Sequence, residues 1–453
     1  MPTLKTKNKP MQPTKTISLS FLAVIIVGAV LLMMPFSSAS GKFTSPLTAL
    51  FTATSATCVT GLVLVDTGTY WNIFGQLVIL LMIQIGGLGL VTFTSFFNFM
   101  IKKKHELHSM QVASESVNTS GFYDVKSFVK KIVAISFAFE LAGAVLLMGA
   151  FVPKYGLRGI YISVYLAVTA FCNAGFDVMG AVDAPFASLA GMADDPIVVT
   201  VIPMLILAGG LGFFVWQDIF EYRKNKRLTL QSKLVIAATA ALAVLGTVII
   251  LILEWNNPAT LGGKSFLYKL GNSFFCSATL RTAGFNTIDM ASLTPLAKMA
   301  SILLMFIGVA PGSTGGGVKI TTISIIVMTI VSVVTNKPDT IIMGRKIEKD
   351  LVYKSLSIIC IFAFIIIASS IGLCFANPGI TGLDSAVEVT SAISTTGISC
   401  GVTSVCGIGS RILLILIMFI GRVGPVSFAI TLSIKKSRLN KNSVYPEGKL
   451  MVG

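Results

Sequence analysis

Long apolar runs separated by short basic segments restrict this chain more than any other feature. Runs such as 17–34, 233–253 and 355–375 have the length of a bilayer crossing, whereas a buried soluble helix is usually shorter. With 54% of 453 residues hydrophobic and only 12% charged, the chain has the composition of a polytopic membrane protein. Lys5, Lys7, Lys9 and Lys15 ahead of the first run, with SSAS behind it, imitate a secretory signal peptide. That run is long for a signal core and reads instead as a first span.

A formal charge of +16 would suit a nucleic-acid binder, but the basic residues are not gathered on one domain. Of 35 Lys and Arg, 25 fall in five segments: 1–16, 100–131, 221–233, 336–354 and the tail from Lys435. The positive-inside rule assigns these segments to the cytoplasm. The opposite connections collect Asp66, Asp177, Asp183, Asp194, Asp195, Glu254, Asp289, Asp384 and Glu388. An acidic outer face concentrates cations, which are the expected cargo.

Five inside segments require an even number of crossings between each pair, and an internal repeat meets that requirement. First spans lie at 17–34, 128–151, 233–253 and 355–375. Each is followed by a half-length segment closed by glycine: SPLTALFTATSATCVTGL, YISVYLAVTAFCNAGF, LYKLGNSFFCSATLRTAGF and DSAVEVTSAISTTGI. Second spans follow at 71–100, 197–220, 296–334 and 411–434. The half-length segments are too short and polar to cross a bilayer and read as re-entrant. In the first, Ser45 caps and Pro46 opens a helix ending near Thr57. Non-helical backbone then returns at membrane depth, where it must be buried in protein or line a wet cavity.

The expected fold is therefore an all-α polytopic membrane protein of four channel-like M1-P-M2 repeats, 17–104, 105–227, 228–344 and 345–434. Residues 1–16 and 435–453 are a cytoplasmic N-terminus and tail. Eight transmembrane helices and four re-entrant pore helices are expected, with pseudo-fourfold symmetry. Two crossings per repeat leave every repeat in the same orientation, whereas inverted repeats need an odd number.

Aligned on glycine, the return strands read Val59-Thr60-Gly61, Asn173-Ala174-Gly175, Thr282-Ala283-Gly284 and Thr395-Thr396-Gly397. None holds a carboxylate or histidine. Main-chain carbonyls can replace the water around a monovalent cation without a fixed charge that holds it too tightly. The C-terminal ends of the short helices add negative potential. Asp177, just beyond the second strand, belongs either to an acidic funnel or to hydrated surface. Arg281, beside the third, would repel cargo from the lumen and is expected to turn back and pair with an acid.

The motifs SATCVTGL, FCNAGFD, SATLRTAGFN, STTGIS and GRVGP resemble the potassium-translocating membrane subunits of the Ktr/Trk/HKT superfamily over nearly the whole chain. A single span before the first pore segment is similar to the KtrB type, whereas the TrkH type usually carries an extra pair. The resemblance implies potassium uptake at the bacterial plasma membrane, often sodium-stimulated, with both termini cytoplasmic. It implies a homodimer with one pore per protomer and a cytoplasmic ring of nucleotide-binding RCK subunits of the KtrA type. Four filter glycines imply preference for potassium over sodium. No organic cofactor is expected.

The second spans share glycine breaks at 85–89, 208–212, 308–317 and 421–425. The third is the longest, GVAPGSTGGG, and is followed by Val318 and Lys319. A Walker loop needs lysine directly after its last glycine, so the nucleotide reading fails. Pro311, Gly312, Ser313, Thr314, Gly315, Gly316 and Gly317 cannot continue a helix and would lie across the path below the filter as a gate. Arg422, at matching depth, is costly in a membrane unless paired or wet. It would bond loop carbonyls or raise a positive barrier, and the resemblance implies the same roles. If the break is a packing kink instead, Lys319 snorkels and Arg422 finds a local carboxylate.

A sodium-coupled solute carrier is the alternative, since it too uses broken helices. An intramembrane enzyme lacks its tools: His105 and His108 sit in a basic loop, and Glu140 is a lone acid expected to pair with a polar neighbour. Of seven cysteines, Cys58, Cys172 and Cys276 read as buried thiols, while whether Cys400 and Cys406 pair is left open by the sequence.

Overall fold

The structure, a computed structural model, describes residues 13–89 and 125–424. Residues 1–12 of the basic N-terminal segment, the loop holding His105 and His108, and the tail from 435 lie outside the described residues. Among the described residues the chain is mostly helical, with one short hairpin, Ile341–Ile342 against Arg345–Lys346.

Four groups of helices follow one another. The first comprises α1 (Pro13–Met33), α2 (Pro46–Cys58), the single turn α3 (Thr67–Tyr70) and α4 (Ile73–Gly87). The second comprises α5 (Val125–Tyr155), α6 (Leu157–Phe171), α7 (Pro196–Gly210) and α8 (Phe213–Asn225). Next come α9 (Leu230–Glu254), α10 (Phe266–Thr279), α11 (Pro295–Phe306) and α12 (Ile320–Val334). The last are α13 (Lys349–Ala376), α14 (Gly382–Ser394), the short α15 (Val402–Val405) and α16 (Ile408–Val423).

Long helices α5, α9 and α13 are each long and apolar enough to cross a membrane, and α7 with α8 passes the same test as a bent pair. The run 197–220 turns through 91° between these two. Gly212 takes a φ of +86°, and the Phe213 amide donates to the Gly312 carbonyl at 3.0 Å. The run 296–334 splits into α11 and α12 around a non-helical segment.

Three of the four short helices, α2, α10 and α14, start where hydroxyl side chains cap them, whereas α6 follows Gly156 without a side-chain cap. Ser45, Ser265 and Thr381 accept from the amides of Thr48, Tyr268 and Asp384, and Pro46 opens α2. Each side-chain cap is worth about 1 kcal/mol. Packing then runs in a closed circuit: α4 against α6, α7 against α10, α11 against α14, and α16 back against α2. Lipid supplies no hydrophobic drive between helices, so close approach through small residues must supply cohesion. Gly86, Gly209 and Gly421 serve this purpose. A methyl group on any of them would overlap the carbonyl of Thr57, Phe171 or Ile393, respectively, at the end of a short helix.

Candidate ion-conduction site

The four short helices α2, α6, α10 and α14 end in one manner. Just past each, a residue adopts left-handed backbone: Val59 (φ 57°), Asn173 (φ 57°), Thr282 (φ 68°) and Thr395 (φ 52°). Three of these are β-branched and pay a steric penalty there. Satisfied helix carbonyls offset it: the Ala283 amide after Thr282 reaches Thr279 at 3.0 Å, while the amides of Thr60 and Thr396, like that of Ala174, reach back to Ser55, Ser391 and Thr169, each at 2.8 Å. This is a Schellman-type ending. Two residues after each comes glycine, with φ of +94° at Gly61, +68° at Gly175, +84° at Gly284 and +87° at Gly397.

These bends meet. A methyl group on Gly61 would stand 2.6 Å from the Ala174 carbonyl oxygen, one on Gly175 2.6 Å from that of Ala283, and one on Gly284 2.6 Å from that of Thr396. One on Gly397 would overlap the Thr60 carbonyl. The ring closes with one hand, and its members are backbone oxygens and Cα hydrogens. The Thr60 and Thr396 hydroxyls are buried without a protein hydrogen-bond partner. Oxygen atoms in this setting are suited to a cation that has shed water.

On one side of the ring lies a cavity of about 450 Å³ whose lining includes all four glycines together with Asp66, Asp177 and Asp289. Asp66 caps Thr69 and accepts from the Phe186 amide at 2.9 Å. Asp177 accepts from the Met179 amide at 2.9 Å. Burial pushes its carboxyl up to about 6, aided by the nearby charge of Asp66 and opposed by the Met179 and Ser188 hydrogen bonds.

On the other side lies the segment 311–317. A methyl group on Gly315 or Gly316 would overlap the Thr282 or Thr395 hydroxyl, so the loop bears directly on the first residues of two strands. The Thr314 amide reaches the Gly209 carbonyl at 3.4 Å, and Ala310 reaches that of Gly210 at 3.1 Å. Arg422 donates to the Thr314 carbonyl at 2.5 Å and also to the Gly86 carbonyl. The loop thereby contacts the second, third and fourth helix groups and is tied to the first through Arg422.

Residues 3–442 match the family described as TrkH: Cation transport protein. The chain belongs to that family. It is similar to the potassium/sodium uptake protein NtpJ of Enterococcus hirae, at 35% identity over 99% of each chain. It is also similar to the Ktr system potassium uptake protein B of Bacillus subtilis, at 36% identity over 97% of each. Its fold resembles that of the potassium transporter TrkH from Vibrio parahaemolyticus, with a TM-score of 0.75 over 95% of this chain and 86% of that one, at 16% identity. The TrkH family and these relatives are transport proteins, and the chain is not an enzyme.

For this TrkH family member several expected partners change. Arg281 does turn away from the strand, but its guanidinium reaches the Thr239 carbonyl and hydroxyl, at 3.4 and 3.5 Å, rather than an acid. Glu254 and Glu388 are fully buried and do not contribute to an acidic surface. Glu254 accepts from Asn257, Thr260 and Thr294. Glu388 accepts from Ser399, Cys400 and Thr403, bracing the chain beyond Gly397. Asp384 pairs with Lys298 at 2.7 Å. Glu140 finds its polar neighbour in Gln84, at 2.9 Å. Cys400 and Cys406 are both free thiols.

Two features have weak sequence signals. The breaks expected at 85–89, 208–212 and 421–425 follow Gly87, Gly210 and Val423, so Gly86, Gly209 and Gly421 are still helical and act by close approach. Lys319, expected to snorkel only if the break is a packing kink, donates from its ammonium to the Gly315 and Gly316 carbonyls, at 2.8 and 3.4 Å. Its one signal is a lysine two residues beyond a glycine run, with apolar residues around it.

Proposed function

We propose that this chain is the membrane subunit of a potassium uptake system and passes potassium through the ring of glycine bends. Four M1-P-M2 repeats, 17–104, 105–227, 228–344 and 345–434, surround that path. Residues 59–61, 173–175, 282–284 and 395–397 form the filter, and carbonyl oxygens replace the ion's water. Residues 311–317 with Arg422 are the gate. The chain works as a homodimer in the bacterial plasma membrane, with both termini cytoplasmic and an RCK ring controlling opening. Sodium is an activator or second cargo, in line with the potassium/sodium naming of NtpJ.

One observation carries the reading: each glycine stands against the next strand's carbonyl, and all four line one acidic cavity. A sodium-coupled solute carrier would be built on side-chain ligands at mid-membrane, whereas this ring offers backbone oxygens and threonine hydroxyls. The test is growth of a potassium-uptake-deficient bacterium at low potassium, with the partner ring co-expressed. The native chain should restore growth and Gly284→Ser should not. Failure of the native chain at good membrane expression would overturn the reading.

A further inference from the structure

We propose that Glu140 sets the position of the second filter strand through Gln84 and Cys172, and so governs ion discrimination without touching the ion. This rests on the filter reading of residues 173–175 above. Glu140 lies in the apolar span α5 and is only 4% exposed. An ionisable side chain in such a place is costly and calls for a partner and a task. Its partner comes from another helix group: the Gln84 side-chain nitrogen, on α4, donates to the Glu140 carboxyl at 2.9 Å. Among the described residues this is the one hydrogen bond that the carboxyl makes.

The other end of the Gln84 carboxamide faces the strand. Its oxygen accepts from the Cys172 thiol at 3.5 Å. Cys172 is the C-cap residue of α6, directly before Asn173, where the chain turns into left-handed backbone and starts toward Gly175. A methyl group on Gly87 would stand 2.7 Å from the Cys172 sulfur, so α4 already lies close against this thiol.

Neighbouring residues of α5 thereby address neighbouring residues at the end of α6. Phe139 stacks on Phe171, with ring centroids 5.6 Å apart and planes at 13°, and is backed by Trp216 of α8 at 4.6 Å. Glu140 reaches Cys172 through Gln84. The two contacts act differently. Stacked rings accept a range of offsets, so they contribute area. A chain of hydrogen bonds has direction and fixes the rotation of α6 where the helix gives way to the strand. An acceptor at position 140 holds the Gln84 nitrogen and leaves the Gln84 oxygen for the thiol. Without that acceptor the carboxamide can turn and present N–H to sulfur, a weak acceptor, and the last turn of α6 loses its orientation.

The test is uptake in the potassium-uptake-deficient bacterium with the partner ring co-expressed. Glu140→Leu, Glu140→Gln, Gln84→Leu and Gly175→Ser are compared with the native chain at equal membrane expression. Two readouts are taken, the half-saturating rubidium concentration and the ratio of rubidium to sodium uptake. Glu140→Leu should lose about tenfold in that ratio, as expected for one charge-assisted hydrogen bond, and should raise the half-saturating concentration. Glu140→Gln keeps an acceptor and should lie near native. Gln84→Leu should match Glu140→Leu, and the double variant should be no worse than either, because both break the same chain. Should Glu140→Leu not reach the membrane, Gln84→Leu decides alone. A Glu140→Leu chain that loses only yield, or whose effect adds in full to that of Gln84→Leu, overturns the proposal. If Gly175→Ser shifts both readouts and Glu140→Leu neither, the brace is wrong and the filter reading stands. If Gly175→Ser leaves both unchanged, the filter reading falls and the brace falls with it.

Discussion

Two stretches of this chain read Met-Phe-Ile-Gly, at 305–308 and 418–421, and they meet different fates. At 418–421 the helix continues through Gly421 to Val423, and Gly421 lies against the Ile393 carbonyl at the end of α14. At 305–308 the helix stops at Phe306, and Gly308 faces Gly316 and Gly317 of the loop instead. The residues immediately downstream decide the outcome. Pro311 has no amide to donate, and in a helix its ring would collide with the carbonyl of Ile307. With the helix ended at Phe306, the Gly308 amide bonds the Val318 carbonyl at 3.0 Å, which closes the loop's two ends on each other. One stretch is a structural seam and the other frames the loop proposed as the gate.

That contrast can be broken most severely at Gly421. Gly421→Ala forces a methyl into the Ile393 carbonyl within a rigid helix pair, at a cost of about 2–3 kcal/mol. The thermal midpoint of purified protein should fall and its membrane yield should drop. A normal yield and midpoint would remove the seam. Gly316→Ala makes a similar collision, here between the loop proposed as the gate and the Thr395 side chain. Its rubidium flux should rise several-fold without a fall in thermal midpoint, and a fall in both would erase the distinction between the two stretches.

A third prediction concerns the acidic cavity, which should be indifferent to the loop. Asp177 is charged above about pH 6 and neutral below it. The external potassium concentration for half-maximal uptake should therefore rise as pH falls through about 6. The rise should be the same size in native protein and in Gly316→Ala, and absent in Asp177→Asn. A persisting rise in Asp177→Asn would place the proton elsewhere. The smallest effect is expected at Gly382, the first residue of α14, where an added methyl meets nothing within 4 Å. Gly382→Ala should match the native chain in flux and yield. A large loss there would mean that glycine count rather than local contact governs these positions.

Much of the architecture is legible in the sequence because lipid permits few solutions. Hydrophobic runs and basic segments mark the spans, and Ser45-Pro46 marks a helix that ends at Cys58, one residue beyond the expected Thr57. The glycine of each return strand is visible as a type. The left-handed residue two positions earlier is not. Asn173 is at ease in that conformation, but Val59, Thr282 and Thr395 resist it, so the surrounding backbone bonds impose what local preference opposes. The same limit hides the partners of Arg281 and Glu388. A sequence registers that a buried charge must be compensated, but here hydroxyls and backbone groups compensate in place of opposite charges. Lys319 escapes notice for a related reason: lysine near apolar residues usually reaches for water, and only coordinates reveal carbonyls within its reach.

The central claim is that backbone oxygens from four strands hold a desolvated monovalent cation at one ring. Anomalous diffraction from crystals grown in thallium tests it directly. The account predicts density on the axis of Gly61, Gly175, Gly284 and Gly397, within coordination distance of the Thr60, Ala174, Ala283 and Thr396 carbonyls. Thallium bound only at the cavity carboxylates, with the ring empty at saturating concentration, would contradict it.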